Sequence, residues 1–150
     1  MSSGKQTRPV INAGLACFKL RLGKSKIHRW GVYAAEDIPA NRKVIEYTGE
    51  RISRRETRKR AGKRLNYIFT LDDYWSIDGL VNGSGAEFIN HCCDPNIAAR
   101  IVRGHILYYS RRPIRKGEEL TVDYHFAKNV EKVLCSCGAK NCRGTINLLK

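Results

Sequence analysis

Apolar residues recur at every second position of this chain, in short runs separated by glycine, proline, asparagine and aspartate. Over residues 16–22, for example, Phe18, Leu20 and Leu22 alternate with a cysteine and two basic residues. This alternation predicts a half-buried strand that ends at a turn over 23–25. Residues 43–50 predict another strand, with a bend at a glycine near its end. The pattern therefore favours strands over helices in the first third of the chain.

Two later pairs of β-rich runs predict hairpins. Residues 66–71 and 74–77 are separated by two aspartates, and residues 97–102 and 105–110 are separated by an Arg-Gly pair. Short polar or glycine-containing turns of this kind join antiparallel strands. A proline-glycine turn then leads into a predicted strand over 120–124. Together these runs predict a mostly-β domain built of several small β-sheets with few short helices.

One stretch predicts a helix. Ser53 is followed three residues later by Glu56, which is the capping-box spacing of a helix start. The residues that follow are mainly basic and include Arg54, Arg55, Arg58, Lys59, Arg60, Lys63 and Arg64. Such a helix is either a solvated face or a surface that binds phosphates or serves as a nuclear-import signal.

The composition is that of a single globular domain. Of the 150 residues, 42% are hydrophobic and 28% are charged, and a chain of this length can bury about two-thirds of its unfolded surface. Residues 1–15 are expected to be a flexible lead-in. No apolar run approaches the roughly 20 residues that span a bilayer, and the first residues lack the apolar core of a signal peptide. An intracellular protein is therefore expected, and its net charge of +14 favours polyanionic partners.

Three cysteines near the end of the chain have the spacing of metal ligands. Cys135, Cys137 and Cys142 form C-x-C-x4-C, and three thiolates on a tight loop can bind zinc. A structural zinc site takes four ligands. The alternative is a set of free thiols, because the expected compartment disfavours disulfides.

The fourth zinc ligand would be Cys17, Cys92 or Cys93. Cys93 is favoured because Pro95 fixes the turn beside it. Zinc would then attach the C-terminal tail to the polar stretch 87–96, which organises the rest of the chain.

Two polar pairs have both a structural and a functional interpretation. Asn90-His91 is either a satisfied structural pair or part of a ligand site, and Asp123-Tyr124 is either strand-end packing or a reacting site. Gly31, beside Trp30, is either a plain turn or a place where the backbone approaches a ligand closely.

Five segments occur in the order in which a SET domain with its post-SET zinc motif carries them. They are residues 27–32 (IHRWGV), 46–49 (EYTG), 88–96 (FINHCCDPN), 117–124 (GEELTVDY) and the C-x-C-x4-C motif. Over residues 16–150 the chain most resembles trithorax-type and small prokaryotic SET proteins. The resemblance implies a SET fold with a pseudoknot over residues 16–128 and a post-SET zinc-bound tail over residues 129–150.

The resemblance also implies methyl transfer from S-adenosylmethionine (SAM) to a lysine of a protein substrate, such as a histone or another basic DNA-associated protein in chromatin. The implied cofactor-binding residues are His28, Trp30, Gly31, Tyr67, Asn90, His91 and Ser136. Tyr124 is the implied catalytic tyrosine, Tyr47 lines the lysine channel, and Val122 and Ala99 tune how many methyl groups are added. The implied Zn²⁺ ligands are Cys93, Cys135, Cys137 and Cys142.

Two positions depart from the family pattern. Arg29 stands where the family usually has Gly, and Cys92 stands where it usually has Ser. Arg29 leaves open a catalytically silent SET module. Val122 and Ala99 are small, so more than one methyl group is expected unless Tyr108 or Tyr109 fills the space.

The net charge and basic helix leave open a zinc-stapled nucleic-acid-binding domain that uses Arg54, Arg55, Arg58 and Arg60. A histone tail is itself basic, so acidic residues such as Asp72, Asp73 or Glu87 are expected near the peptide groove.

The expected location of the protein in the cell is the nucleus in a eukaryote or the cytoplasm in a prokaryote.

Overall fold

The computed structural model describes residues 9–61, 67–125 and 132–149. Within these ranges it contains strands β1 (Leu20–Lys24), β2 (Trp30–Ala34), β3 (Lys43–Tyr47), β4 (Glu50–Ser53), β5 (Ile68–Thr70), β6 (Trp75–Asp78), β7 (Asn90–His91), β8 (Ile97–Val102), β9 (His105–Ser110) and β10 (Thr121–Val122). Helix α1 is Arg54–Arg60, and 3-10 helices span Ala13–Leu15 and Ala86–Phe88. Lys63, Arg64 and the proposed boundary at 128/129 lie outside the described residues.

The described residues form four small sheets, in agreement with the several small sheets that the alternating pattern predicted. β1 pairs with β2, β9 lies between β3 and β8, and β6 lies between β4 and β5. Both predicted hairpins are confirmed, because β5 pairs with β6 and β8 pairs with β9 in antiparallel register. The fourth sheet is a parallel pair of β7 and β10. No helix of the described residues is long and apolar enough to cross a membrane.

Some predicted boundaries were wrong. The first strand begins at Leu20, not at residue 16, and it continues through Lys24 because Gly23 and Lys24 pair with β2. The predicted strand over 43–50 is divided between two sheets at Thr48-Gly49. These boundaries depend on which partner strand lies alongside, which short-range alternation does not specify.

Helix α1 starts where the capping signature predicts. The Ser53 hydroxyl oxygen accepts the N–H of Glu56 at 3.1 Å, which satisfies one of the N–H groups at the helix start. The Glu56 carboxylate binds Arg60 at 2.9 Å, one turn further along. The helix buries none of its residues.

The aliphatic core holds the parallel β7–β10 pair in place. Ile89, Leu120 and Val122 belong to this core and are at most 4% exposed. Asn96, 2% exposed, adds to the pairing, since its side-chain oxygen accepts the N–H of Thr121 at 2.8 Å and its amide donates to the Glu119 carbonyl at 2.9 Å. Two polar stretches whose paired residues lie 31 positions apart in the sequence (Asn90 and Thr121) are thereby fixed side by side.

Candidate active site and metal centre

Four thiols cluster where the C-terminal tail meets the loop after β7. They belong to Cys93, Cys135, Cys137 and Cys142, and all lie within 4.8 Å of one another. The Cys93 sulfur is 3.8 Å from that of Cys135 and 4.0 Å from that of Cys142. Tetrahedral zinc with Zn–S bonds of about 2.3 Å places its sulfurs about 3.8 Å apart. The donor set and spacing therefore fit zinc.

The neighbouring Cys92 is not part of this thiol cluster. Its sulfur accepts the N–H of Asp94 at 3.4 Å, and Cys17 is exposed elsewhere. Backbone N–H groups of Arg143 and Gly144 point at the sulfurs of Cys93 and Cys142, each at 3.4 Å, which favours thiolates at those positions. Of the three cysteines that the sequence left open, the geometry brings Cys93 to the motif.

An ion pair provides a second attachment for the tail. The Arg143 guanidinium donates to both carboxylate oxygens of Asp123, at 2.7 and 3.1 Å, and also to the Ile146 carbonyl at 2.6 Å. The guanidinium lowers the pKa of Asp123, although burial opposes this. Sequence reasoning did not identify Arg143, because neither the motif nor its charge distinguishes it from the chain's many other basic residues.

A cavity of about 210 Å³ lies between the tail and the 3-10 helix before β7. Six of the seven residues expected to bind a cofactor line it, namely His28, Trp30, Tyr67, Asn90, His91 and Ser136. The tail closes one wall with Val133, Leu134, Cys135, Ser136 and Ile146. The shape of this cavity therefore depends on the attachment of the tail.

The seventh residue, Gly31, is not among the residues that line this cavity, and it lies within β2 rather than in a turn. A Cβ on Gly31 would overlap the Glu119 carboxylate. That carboxylate accepts bonds from the Asn90 amide at 3.0 Å and the Ser25 hydroxyl at 2.6 Å. The second proton of the Asn90 amide goes to the Trp30 carbonyl at 2.9 Å. Gly31 thus provides room for the carboxylate that orients Asn90, which is a role the sequence did not suggest.

His91 holds three parts of the site together. Its Nδ1 accepts the backbone N–H of Tyr124 at 3.0 Å, and its Nε2 lies 3.5 Å from the Cys93 sulfur. Burial lowers the pKa of His91 to about 4, although the Asp123 charge opposes this. The ring is therefore neutral at physiological pH, and its 3.5 Å approach to Asp123 is a contact with a neutral imidazole.

A second, larger cavity of about 890 Å³ opens on the other side of Tyr124. An aromatic cluster lines it, with the Tyr47 ring 5.4 Å from Phe69 and 5.9 Å from Tyr108. Val122 and Ala99 line the same cavity. Ala99 pairs with Tyr108 across β8 and β9, so of the two tyrosines considered, Tyr108 reaches the cavity. Tyr109 does not line it, and Arg100 lies over its ring at 4.3 Å.

Tyr124 and Glu87 are the two described residues that line both cavities. The Tyr124 hydroxyl donates to the Ile89 carbonyl at 2.8 Å, and its ring meets His91 edge-on at 5.4 Å. Burial raises the pKa of Tyr124, so the phenol stays protonated at neutral pH. A ligand in the small cavity and one in the large cavity would meet at these two side chains.

The arginines of α1 fall into two groups. Arg54, Arg55 and Arg58 are exposed, whereas Arg60 binds Glu50, Glu56 and the fully buried Asp78 at 2.9–3.0 Å. A groove of about 410 Å³ runs beside the helix and is lined by Arg54, Arg58, Asp72, Asp73 and Tyr74, among others. It shares Thr57 and Thr70 with the larger cavity.

The domain can bring two ligands together, because its two cavities meet at Tyr124 and Glu87. Small sheets, the parallel β7–β10 pair and the thiol cluster hold these cavities in place. The SET domain family matches residues 29–125. The chain belongs to the SET-domain family.

Its relatives and structural neighbours agree with this assignment. The chain is 42% identical to human histone-lysine N-methyltransferase SETD1A over 86% of this chain and 8% of that protein. It is also 42% identical to the H3 lysine-4 specific histone-lysine N-methyltransferase of Saccharomyces cerevisiae, over 95% of this chain and 14% of that protein. The chain thus spans only a small part of the length of these curated relatives.

A crystal structure of Arabidopsis thaliana SUVH6 in complex with SAM has the same fold. It superposes with a TM-score of 0.80 and 26% identity, over 90% of this chain and 34% of that chain. The mostly-β SET fold expected from the sequence is confirmed.

Proposed function

We propose that this chain transfers a methyl group from SAM to the side-chain amine of a lysine in a protein, with a histone or another basic DNA-associated protein inside the cell as substrate. The observation that carries the proposal is the junction of two cavities at Tyr124 and Glu87. One cavity has a mixed polar and apolar lining that includes Trp30, Asn90 and His91, and the other is lined by aromatic rings. The relatives named as histone-lysine methyltransferases support the same reaction.

The small cavity is the proposed SAM site. SUVH6, which shares the fold, was crystallised in complex with SAM. Trp30 and the Asn90-His91 pair would form its walls, with Ser136 on the tail opposite. Zinc would be held by the four clustered thiols, where its part is structural, because four protein ligands leave no open coordination position.

SAM supplies a methyl group already activated on a sulfonium, so the residues of this chain mainly align the two reactants. Tyr47, Phe69 and Tyr108 would enclose the lysine stem in an apolar channel. A lysine amine has a pKa near 10.4 in water, and an apolar channel beside a positive sulfonium lowers that pKa. The protonated Tyr124 hydroxyl would orient the reacting groups by polar contact, and the amine proton would leave through water.

The direct test incubates zinc-loaded protein with methyl-labelled SAM and a panel of histones, DNA-binding proteins and whole lysate. Transfer of label to lysine supports the proposal. Cofactor binding with no transfer to any substrate would instead identify a silent SET module. The feature that left this rival open, Arg29, is exposed and does not line the small cavity.

We expect the product to carry more than one methyl group, because the large cavity keeps a volume of about 890 Å³ with Tyr108 in its wall. Val122 and Ala99 present small side chains to the large cavity, which leaves room for a methylated amine to realign. Val122→Tyr should restrict the product to one methyl, because its hydroxyl can hold a water beside the amine. Mass spectrometry of a substrate peptide under excess SAM measures this, with Val122→Phe as the matched variant that lacks the hydroxyl. A parent product that stops at one methyl would refute the open channel.

As a second proposal, α1 contacts DNA. DNA binding is compatible with catalysis, because an enzyme that acts on chromatin works close to DNA. Arg54, Arg55 and Arg58 are exposed, and within the described residues no carboxylate forms an ion pair with them. Arg60 is engaged by three carboxylates and should contribute little.

Replacing these three exposed arginines by glutamine should weaken DNA binding and lower the slope of log affinity against log salt, by about 0.9 for each phosphate that the variant no longer neutralises. Fluorescence anisotropy of a labelled duplex at several salt concentrations measures the slope. A variant with glutamine at the exposed Lys43, Arg115 and Lys116 loses the same charge away from the helix. Equal slopes for the two variants would leave α1 as a solvated face.

A further inference from the structure

Glu87 is a buried carboxylate without a cationic partner among the residues that the structure describes. The residue is 5% exposed, and no lysine, arginine or histidine side chain of those ranges forms an ion pair with it. The N–H of Gly85 donates to its carboxylate oxygens. Burying a charge is costly unless a cation or several donors compensate it. Burying the Glu87 carboxylate therefore costs free energy of folding, and no contact within the described part of the chain explains why the carboxylate is there.

The loop beside Glu87 leaves room for its carboxylate. A Cβ on Gly83 would overlap both carboxylate oxygens, so the loop before the 3-10 helix accommodates the acid only with glycine there. Besides Tyr124, Glu87 is the one described residue that lines both the small and the large cavity. Its charge also adds to the effect of burial in raising the pKa of Tyr47 and Tyr108. Glu87 thus lies where the two reactants would meet.

We propose that Glu87 is the counter-ion of the sulfonium of SAM and makes the site prefer SAM over its spent product, S-adenosylhomocysteine (SAH). The inference rests on the proposed function of the small cavity. The methyl group must project from the cofactor cavity toward the lysine channel, so the sulfonium lies at their junction. SAM and SAH carry the same amino, carboxylate and adenosine groups and differ at sulfur, which is positive in SAM and neutral in SAH. A carboxylate at the junction therefore stabilises the bound SAM and has no cation to stabilise in SAH.

The protonation behaviour of Glu87 agrees with this role. Burial raises the pKa of Glu87 to about 7, although the Gly85 N–H opposes the rise. A bound cation favours the ionised form, so SAM binding should draw a proton off Glu87. As the pH falls through about 7, Glu87 gains its proton and the preference for SAM should fade.

Other titratable groups face the same region from the elements packed around it. In the small cavity they are His28, Tyr67, His91 and Cys135, and in the large cavity they are Tyr47, Cys93, Tyr108, Arg111, Asp123 and His125, with Tyr124 lining both. His91 is neutral above a pKa of about 4, and the buried tyrosines have raised pKa values. His28 and His125 are the two histidines of this set that need their own controls.

The test compares SAM and SAH binding to zinc-loaded parent and Glu87→Gln by isothermal titration calorimetry. Glutamine keeps the shape of the side chain and an acceptor for the Gly85 N–H but removes the charge. We expect SAM to bind about tenfold more weakly to the variant and SAH to change by less than twofold. Asp37→Asn removes the same net charge from an exposed position outside both cavities and should leave both affinities unchanged. Unchanged SAH binding also shows that the cavity is intact.

If Glu87→Gln does not fold, the parent provides the second measurement. The ratio of SAH to SAM dissociation constants should fall several-fold between pH 8.5 and pH 6, and His28→Gln and His125→Gln should each show the same trend. Equal weakening of SAM and SAH in Glu87→Gln, or a ratio independent of pH, would overturn the inference while leaving the methyltransferase proposal standing. Failure of the parent to bind either compound would instead refute the proposed function.

Discussion

Tyr124→Phe is expected to reduce methyl transfer by about 100- to 1000-fold, the usual effect of removing one polar group that acts on a transition state, while SAM binding changes little. The hydroxyl is the polar group of Tyr124 at the junction of the cavities, and it remains protonated at neutral pH because burial raises its pKa. The aromatic ring, its packing on His91 and the bond from its backbone N–H to that histidine all persist in phenylalanine. Single-turnover rates with labelled SAM, together with calorimetric SAM affinity, separate the two effects.

A control must separate loss of catalysis from loss of stability in Tyr124→Phe. The variant also removes the hydrogen bond to the Ile89 carbonyl, and leaving a buried acceptor without a partner costs about 1–3 kcal/mol. The thermal unfolding of the variant is therefore measured together with its rates, and Tyr109→Phe, which changes a tyrosine outside both cavities, serves as the matched variant. A Tyr124→Phe enzyme that turns over like the parent would show that this hydroxyl has no part in catalysis.

Freshly purified, reduced protein is expected to contain one zinc per chain, and removing it should abolish most SAM binding. The four thiol ligands must be deprotonated to hold the metal, so a chelator or acid should release it. The tail supplies one whole wall of the small cavity, including Leu134, Ser136 and Ile146. Structural zinc contributes on the order of 10 kcal/mol to the folding of its segment, more than the Arg143–Asp123 pair can replace. Metal analysis measures the zinc content, limited proteolysis measures whether the tail loosens when zinc is removed, and titration measures the loss of SAM binding.

Cysteine variants give this experiment its control. Cys93→Ser should lower the zinc content and expose the tail to protease, whereas Cys92→Ser and Cys17→Ser should retain the metal, because their sulfurs lie outside the thiol cluster. Protein that contains no zinc when prepared under reducing conditions, or Cys93→Ser protein with full zinc, would contradict the four-thiol site.

Several elements could be predicted because their signals are local. The Ser53 cap needs only the side chain and an N–H three residues away, and each hairpin needs only two adjacent runs and a short turn. The strand ends were predicted less well, because pairing partners decide them. β1, for example, continues through Gly23 and Lys24 because β2 lies alongside.

The four thiols of the proposed metal centre also differ in how well the sequence predicts them. Cys135, Cys137 and Cys142 could be recognised from spacing alone, because one short loop carries all three. The fourth ligand could not be assigned by spacing, since Cys92 and Cys93 are neighbours in the chain. Only the path of the loop after β7 places the Cys93 sulfur among the other three and leaves that of Cys92 on the N–H of Asp94.

By itself the sequence determined the fold class, the family and the residues expected around the cofactor, because ordered motifs carry that information over short stretches. Only the tertiary structure decided what those residues do for one another. It directs both amide protons of Asn90 to protein acceptors, makes Gly31 a space for Glu119, and joins Arg143 to Asp123. It also places Glu87 at the junction of the cavities. Hydrogen bonds and charge interactions depend on distances of a few ångströms between groups far apart in the chain, and those distances exist only once the core has packed.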